Sequence, residues 1–247
     1  MLLNNPVTAA NPTNMKKCLP LIIFTALFSL SVPLFSQVKL PFKLGLQLSP
    51  NIGWMNPATK GYSNNGANLG ATMGLVGDFY FAENYAFSTG INFQFLNGKL
   101  NYADSVTGTV SKKLENGEVF RKYQFLYLEI PLMIKMKTKT FGKVSYYGQI
   151  GLGTAFRLKA TVKEHFVPDN GLTEDNSLDF DQGTTLVRES IKIGGGCEYH
   201  LDESTRIMVG LSYSNSLNNV LTGSNRKSYL NEKSMLNYAE LSIGILF

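Results

Sequence analysis

Between Tyr123 and Lys137 two sequences run interleaved at period two. The even positions Leu126, Leu128, Ile130, Leu132, Ile134 and Met136 are all hydrocarbon, whereas the odd positions include Tyr127, Glu129, Lys135 and Lys137. A helix would repeat its apolar positions every three to four residues, so this spacing predicts a β-strand whose two faces meet different surroundings. The same separation by parity recurs over Lys43–Trp54, Leu69–Phe81, Tyr85–Phe95, Val144–Leu158, Leu186–Leu201, Arg206–Ser214 and Tyr238–Phe247. Eight strands are therefore expected, with Glu189 the misfit on an otherwise apolar face.

The connections alternate in length. Short ones are expected at Ala82–Asn84, Thr138–Gly142 and Leu201–Ser204, and long ones at Asn56–Asn68, Lys99–Val119, Ala160–Thr185 and Ser216–Ser234, rich in Gly, Asn, Ser and Asp. An even-numbered meander with short turns at one end and long loops at the other is the layout of a bacterial outer-membrane barrel. The fold class predicted is all-β: an eight-stranded antiparallel up-and-down transmembrane β-barrel, with both ends of the meander on the short-turn side. Charged residues make up 17% of the chain, below the roughly 25% of a typical soluble protein.

A soluble ligand barrel of the lipocalin kind has the same strand count but keeps its apolar side chains inside. Side-chain size decides between them. The polar faces hold Gly45, Gly53, Gly70, Gly74, Gly90, Gly151, Gly153, Gly194, Gly196, Gly210 and Gly244, small residues suited to a crowded lumen, and the apolar faces carry the bulk. Aromatics on the apolar faces gather near both strand ends. Phe79, Phe81, Tyr85, Phe87, Tyr146, Tyr199 and Phe247 mark the short-turn end, and Trp54, Phe93, Phe95, Phe156 and Tyr213 the other. Two interfacial girdles are the expected result. A membrane strand needs about 9–11 residues, so the longer fourth, fifth and sixth strands are expected to project as a raised rim on the loop side. Inside, Glu129, Lys192 and Glu240 are expected at mid-depth and Arg157 and Arg188 higher, forming a charge network in a lumen too narrow for a general diffusion pore.

Met15-Lys16-Lys17 followed by the apolar run Leu19–Phe35 has the form of a secretory signal peptide, with cleavage expected after Ser36. The domain reading is thus an upstream extension at 1–14, a signal peptide at 15–36 and the barrel at 37–247. Cys18 precedes the apolar run rather than following it, which argues against lipidation. Cys197 then remains alone, without a disulfide partner. Loss of Lys16 and Lys17 lowers the net charge from +5 to about +3, too little to imply nucleic acid.

Candidate chemistry is sparse. His165 in the third long loop and His200 near a short turn are expected at opposite ends of the barrel, which disfavours a joint catalytic or zinc site. Gly194-Gly195-Gly196 lies inside an alternating strand, with no helix after it to make a phosphate loop. Glu164, Asp169, Glu174, Asp175, Asp179 and Asp181 read as a solvated acidic loop, with Ca²⁺ binding or a divalent bridge to lipopolysaccharide as the sharper alternative. Glu129 reads as half of a structural ion pair, with a proton site as its alternative. No catalytic, cofactor or metal residue is assigned.

Tyr127-Leu-Glu-Ile-Pro-Leu132, Asn84-Tyr-Ala-Phe-Ser-Thr-Gly90, Leu48-Ser-Pro-Asn51 and Tyr147-Gly-Gln-Ile-Gly-Leu152 resemble the PorT-type outer-membrane β-barrel family of Bacteroidetes. The resemblance implies an integral outer-membrane location and a link to protein secretion of the type IX kind and to gliding. It carries no catalytic motif and no cofactor. The expected partners are outer-membrane lipid and lipopolysaccharide, with secretion machinery or surface proteins at the loops, around a monomeric, non-enzymatic barrel. A general envelope or adhesion barrel is the alternative, and a barrel enzyme using His165 comes third.

Overall fold

The computed structural model describes residues 42–107, 112–169 and 172–247. The upstream extension 1–14 and the signal peptide 15–36, including Cys18, lie outside the described residues. Strands run β1 (Phe42–Pro57), β2 (Tyr62–Ala82), β3 (Tyr85–Thr107), β4 (Leu114–Lys137), β5 (Val144–Pro168), β6 (Glu174–Asp179), β7 (Val187–His200), β8 (Arg206–Ser216) and β9 (Ser234–Leu246). All but β6 join an antiparallel ring in chain order, closed by β1 against β9, with β4 next to β5 and β5 next to β7. Closure leaves the ring no free edge, as lipid requires. The eight-stranded barrel read from the alternation is present, with one addition: β6 pairs along the upper part of β5, from Thr161↔Asp179 to Phe166↔Glu174.

Face assignment follows the expected parity. Leu44, Leu46, Leu48, Leu75, Phe87, Leu132, Ile150 and Ile243 are exposed on the outer surface, while Ser49, Thr72, Asp78, Gln94, Glu129 and Ser145 are buried in the lumen. Leu126 to Met136 form an eleven-residue apolar outer run on β4, the length a tilted strand needs to cross the hydrocarbon. Ring contacts within the girdles are close. Phe81 lies 4.9 Å from Phe87 near the short turns, and Trp54 stacks on Tyr213 at 6.0 Å at the opposite end. Lumen glycines serve two purposes. A Cβ on Gly153 would strike Glu129 and Lys192, as crowding predicts, but at Gly70, Gly90 and Gly151 it would strike a carbonyl of the neighbouring strand.

The long connections are shorter than their composition suggests, because much of Asn56–Asn68, Lys99–Val119 and Ala160–Thr185 is strand. β3, β4 and β5 reach 23, 24 and 25 residues and β2 reaches 21, against 14 for β7, 11 for β8 and 13 for β9. One wall of the barrel therefore stands well above the other. The sixth ring strand, β7, was expected to project, and it does not. It begins at Val187, opposite Phe156, after the chain has broken into a 3-10 turn at Asp181–Gly183. The second and third ring strands, β2 and β3, take its place in the wall.

Above the membrane the polarity inverts. Leu96, Leu100, Tyr102, Val119, Tyr123, Phe125, Val162 and Phe166 point inward and are buried, joined by Val220, Leu221, Leu236 and Tyr238. The outer face at the same level carries Asn97, Lys99, Lys122, Gln124, Thr161 and Lys163 instead. The cause is the solvent. A wall surrounded by lipid presents hydrocarbon outward, and the same wall in water must turn its hydrocarbon in. A bulge on β5, where Leu126 faces Lys159 and Tyr127 faces Arg157, shifts that strand's parity at the changeover.

Candidate functional site

The lumen is occupied by two ionic networks. In the middle, Lys192 Nζ on β7 lies 2.9 Å from Glu129 Oε2 on β4 and 3.6 Å from Glu240 Oε1 on β9. Asn92 Nδ2 and the Tyr238 hydroxyl each donate to the same Glu129 carboxylate at 3.3 Å, and Ser212 Oγ donates to Glu240 at 2.9 Å. Arg188 sits above, donating to Ser214 Oγ and to the Leu236 carbonyl at 3.0 Å, its guanidinium 5.2 Å from the Tyr238 ring. Nearer the short turns, Lys135 Nζ bridges Asp78 at 2.6 Å and Glu198 at 2.7 Å, and Lys137 and Arg206 also reach Glu198. The space left between the networks is about 40 Å³, room for a water or so. Reconstituted in planar bilayers, the protein is expected to show no stepwise ion conductance. Pore-sized steps with fixed ion selectivity would contradict this arrangement.

Glu129, Lys192 and Glu240 are thus brought together as parity predicted, and Arg188 lies above them. Arg157 departs from the others. It turns to the rim, where it donates to the Thr184 carbonyl at 2.7 Å and pairs with Asp181 at 3.7 Å. Glu189 faces outward and accepts from Thr154 Oγ1 at 2.9 Å, which accommodates its position on the apolar face. Gly194–Gly196 lie within β7.

The acidic residues of the third long connection do not converge. Glu164 points inward from β5 and meets Arg121 Nε at 2.6 Å, while Asp175 points outward from β6 and meets His165 Nδ1 at 2.7 Å. Their reading as one solvated loop is therefore corrected: alternation on two paired strands sends neighbours to opposite faces. His200 lies at the far end of the barrel, with Nε2 3.1 Å from Ser145 Oγ.

The top of the barrel holds a cup of about 570 Å³ whose lining includes Asp104, Arg121, Glu164, Phe180, Arg226 and Glu232. Arg121 organises it. Its guanidinium pairs with Glu164 at 2.6 Å and Glu232 at 3.5 Å and lies over the rings of Tyr102 and Phe180. Burial opposes the Arg121 charge, yet the adjoining tyrosines and the two carboxylates raise its pKa above the ordinary guanidinium value. The fourth long connection folds over this centre rather than standing free. Asp104 Oδ1 accepts from the backbone N–H groups of Arg226 and Lys227 at 2.8 and 3.1 Å, and Asn225 Nδ2 donates to the Ala103 carbonyl at 2.9 Å. Sequence reasoning missed this upper core. Its signal was the change of apolar parity at Phe95-Leu96 and again at Phe125-Leu126.

A family model described as an outer membrane protein beta-barrel domain matches residues 35–222. No curated protein matches the chain in sequence. Among solved structures, the neisserial surface protein A is 12% identical, with 83% of this chain and 95% of that chain covered and a TM-score of 0.44. OprG from Pseudomonas aeruginosa is 12% identical over 83% and 95% of the two chains, with a TM-score of 0.43. The outer membrane protease OmpT from Escherichia coli is 7% identical over 83% and 96%, with a TM-score of 0.40. With the family model spanning most of its length and its lipid-facing ring closed, the chain belongs to the outer membrane protein β-barrel domain family and is an integral protein of the outer membrane.

Proposed function

We propose that this barrel is a non-enzymatic docking or accessory component of protein export to the cell surface, of the type IX kind or linked to gliding. The observation that carries the reading is the combination of a lumen filled by buried ion pairs with a tall, well-packed wall of β2 to β6 above the membrane. Such a molecule offers partners a surface and gives cargo no passage. The resemblance to PorT-type barrels supplies the link to secretion, and the cup around Arg121 is the proposed contact region. The test is deletion of the gene followed by quantification of surface-exported proteins in the medium and on cells. Loss of export restored by the intact gene is expected, and unaltered export would sink the accessory role. A hydrolytic activity of the purified protein that disappears in H165A would favour the enzyme reading instead.

A further inference from the structure

We infer that the outer face of the raised wall binds the phosphate of an outer-leaflet glycolipid through a row of lysines, Lys99, Lys122 and Lys163, independently of any role in export. The three residues are direct cross-strand neighbours. Lys99 on β3 is paired with Lys122 on β4, and Lys122 with Lys163 on β5. Like charges placed directly opposite one another destabilise a sheet, and here two such pairs adjoin. Among the described residues no carboxylate forms a salt bridge with any of the three. On the adjacent strand β6, Asp175 and Asp179 flank Ser177, the residue opposite Lys163, and Asp175 lies 2.7 Å from His165 Nδ1. The row thus places three positive charges side by side over roughly 10 Å, set by two strand spacings, with carboxylates beside it only at its β6 end.

Its height selects the partner. Below the row the outer face passes through Asn97, Gln124 and Thr161 to Phe95 and Leu126, where the lipid-facing run begins. Lys122 lies four positions from Leu126 along β4, roughly 10 Å of height once strand tilt is allowed for, which is headgroup level. A groove of about 540 Å³ follows the row, with Asn65 at one end and His165, Asp175 and Ser177 at the other, and a second of about 320 Å³ beneath it runs between Phe95, Leu126 and Lys159. Acyl chains against the lower apolar surface, sugar hydroxyls against the amides and Thr161, and phosphate on the lysines match an amphiphile in vertical order. A soluble anion would use only the top of this gradient. The long-loop side of such a barrel faces outward, toward the leaflet that carries phosphorylated glycolipid.

The test uses the full purified barrel in detergent, with adduct retention measured by native mass spectrometry. The probes are bisphosphorylated lipid A, the same lipid enzymatically dephosphorylated, inorganic phosphate and a polyglutamate peptide. One retained bisphosphorylated lipid per barrel is expected, with weak retention of the dephosphorylated form and no competition from millimolar phosphate. The variant K99Q/K122Q/K163Q should lose about 100-fold in lipid affinity, on the order of fivefold per lysine, whereas K139Q/K143Q at the short-turn end should not. Without lipid, the triple variant should unfold at the same or higher denaturant concentration than the parent, because it loses like-charge repulsion. Equal retention of the dephosphorylated lipid, an unaffected triple variant, or displacement by free phosphate or by the acidic peptide would each overturn the inference.

Discussion

Replacing Lys192 by Met is expected to lower the unfolding free energy by about 3–5 kcal/mol, the cost of leaving buried charge without its partner. Lys192 stands between two carboxylates that are almost wholly removed from solvent, and no other cation lies within salt-bridge distance of Glu129 or Glu240 among the described residues. Met fills nearly the same volume, so the effect isolates charge from packing. E129Q is expected to cost less: the amide oxygen can still accept from Asn92, its NH2 group can donate to the Tyr238 hydroxyl oxygen, and Lys192 keeps Glu240 at 3.6 Å. The triple variant E129Q/K192M/E240Q should regain most of the loss, since a neutral network carries no desolvated ion. Reversible urea unfolding in lipid vesicles measures all of these. Trp54, the chain's single tryptophan, reports the transition from the membrane boundary. If the triple variant is as unstable as K192M, the loss comes from shape and not from charge.

The membrane half of this site was legible because a strand in lipid obeys one rule along its whole length. Once Leu126 to Met136 face outward, Glu129 must face inward, and the same parity sends Lys192 and Glu240 there from two other strands. Which charges meet was not legible, since that depends on ring order and register, such as Asn92 lying opposite Glu129. The water-exposed half was misjudged for a different reason. Asn97, Gly98, Lys99 and Asn101 have the composition of a loop, yet Leu96, Leu100 and Tyr102 between them are buried core. Polar residues there mark an outer face in water, not an absence of strand. A single polarity assigned to each strand could not describe one that crosses from lipid into water, and β6 was hidden in the same way by its acidic residues.

The raised wall should fail separately from the barrel, and R121M is the substitution expected to reveal it. Removing the guanidinium leaves Glu164 and Glu232 buried at 3% and 2% side-chain exposure without their cation, and it removes the group lying over Tyr102 and Phe180. A penalty of about 3–5 kcal/mol is expected to fall on this end, where it should favour local opening over loss of the whole barrel. R121K should restore little, because an ammonium lacks the planar fork and the ring-stacking face that Arg121 uses. The membrane belt does not share the damage: its outer face is held by lipid and its lumen by the ion pairs of Lys192 and Lys135. The expected result is therefore new protease cleavage within 160–185 and 217–233, with the heat-modifiable gel migration of a folded barrel retained. R121M/E164Q/E232Q should regain protease resistance, since it replaces the stranded carboxylates with neutral amides. If the wall is the docking surface, export in cells carrying R121M should fall to the level of the deletion and recover in the triple variant. Cleavage without loss of export would place docking elsewhere, and loss of heat-modifiable migration would show that wall and belt fold as one unit. Two solvents act on one continuous sheet, so the height at which its polarity inverts is where independent unfolding should stop.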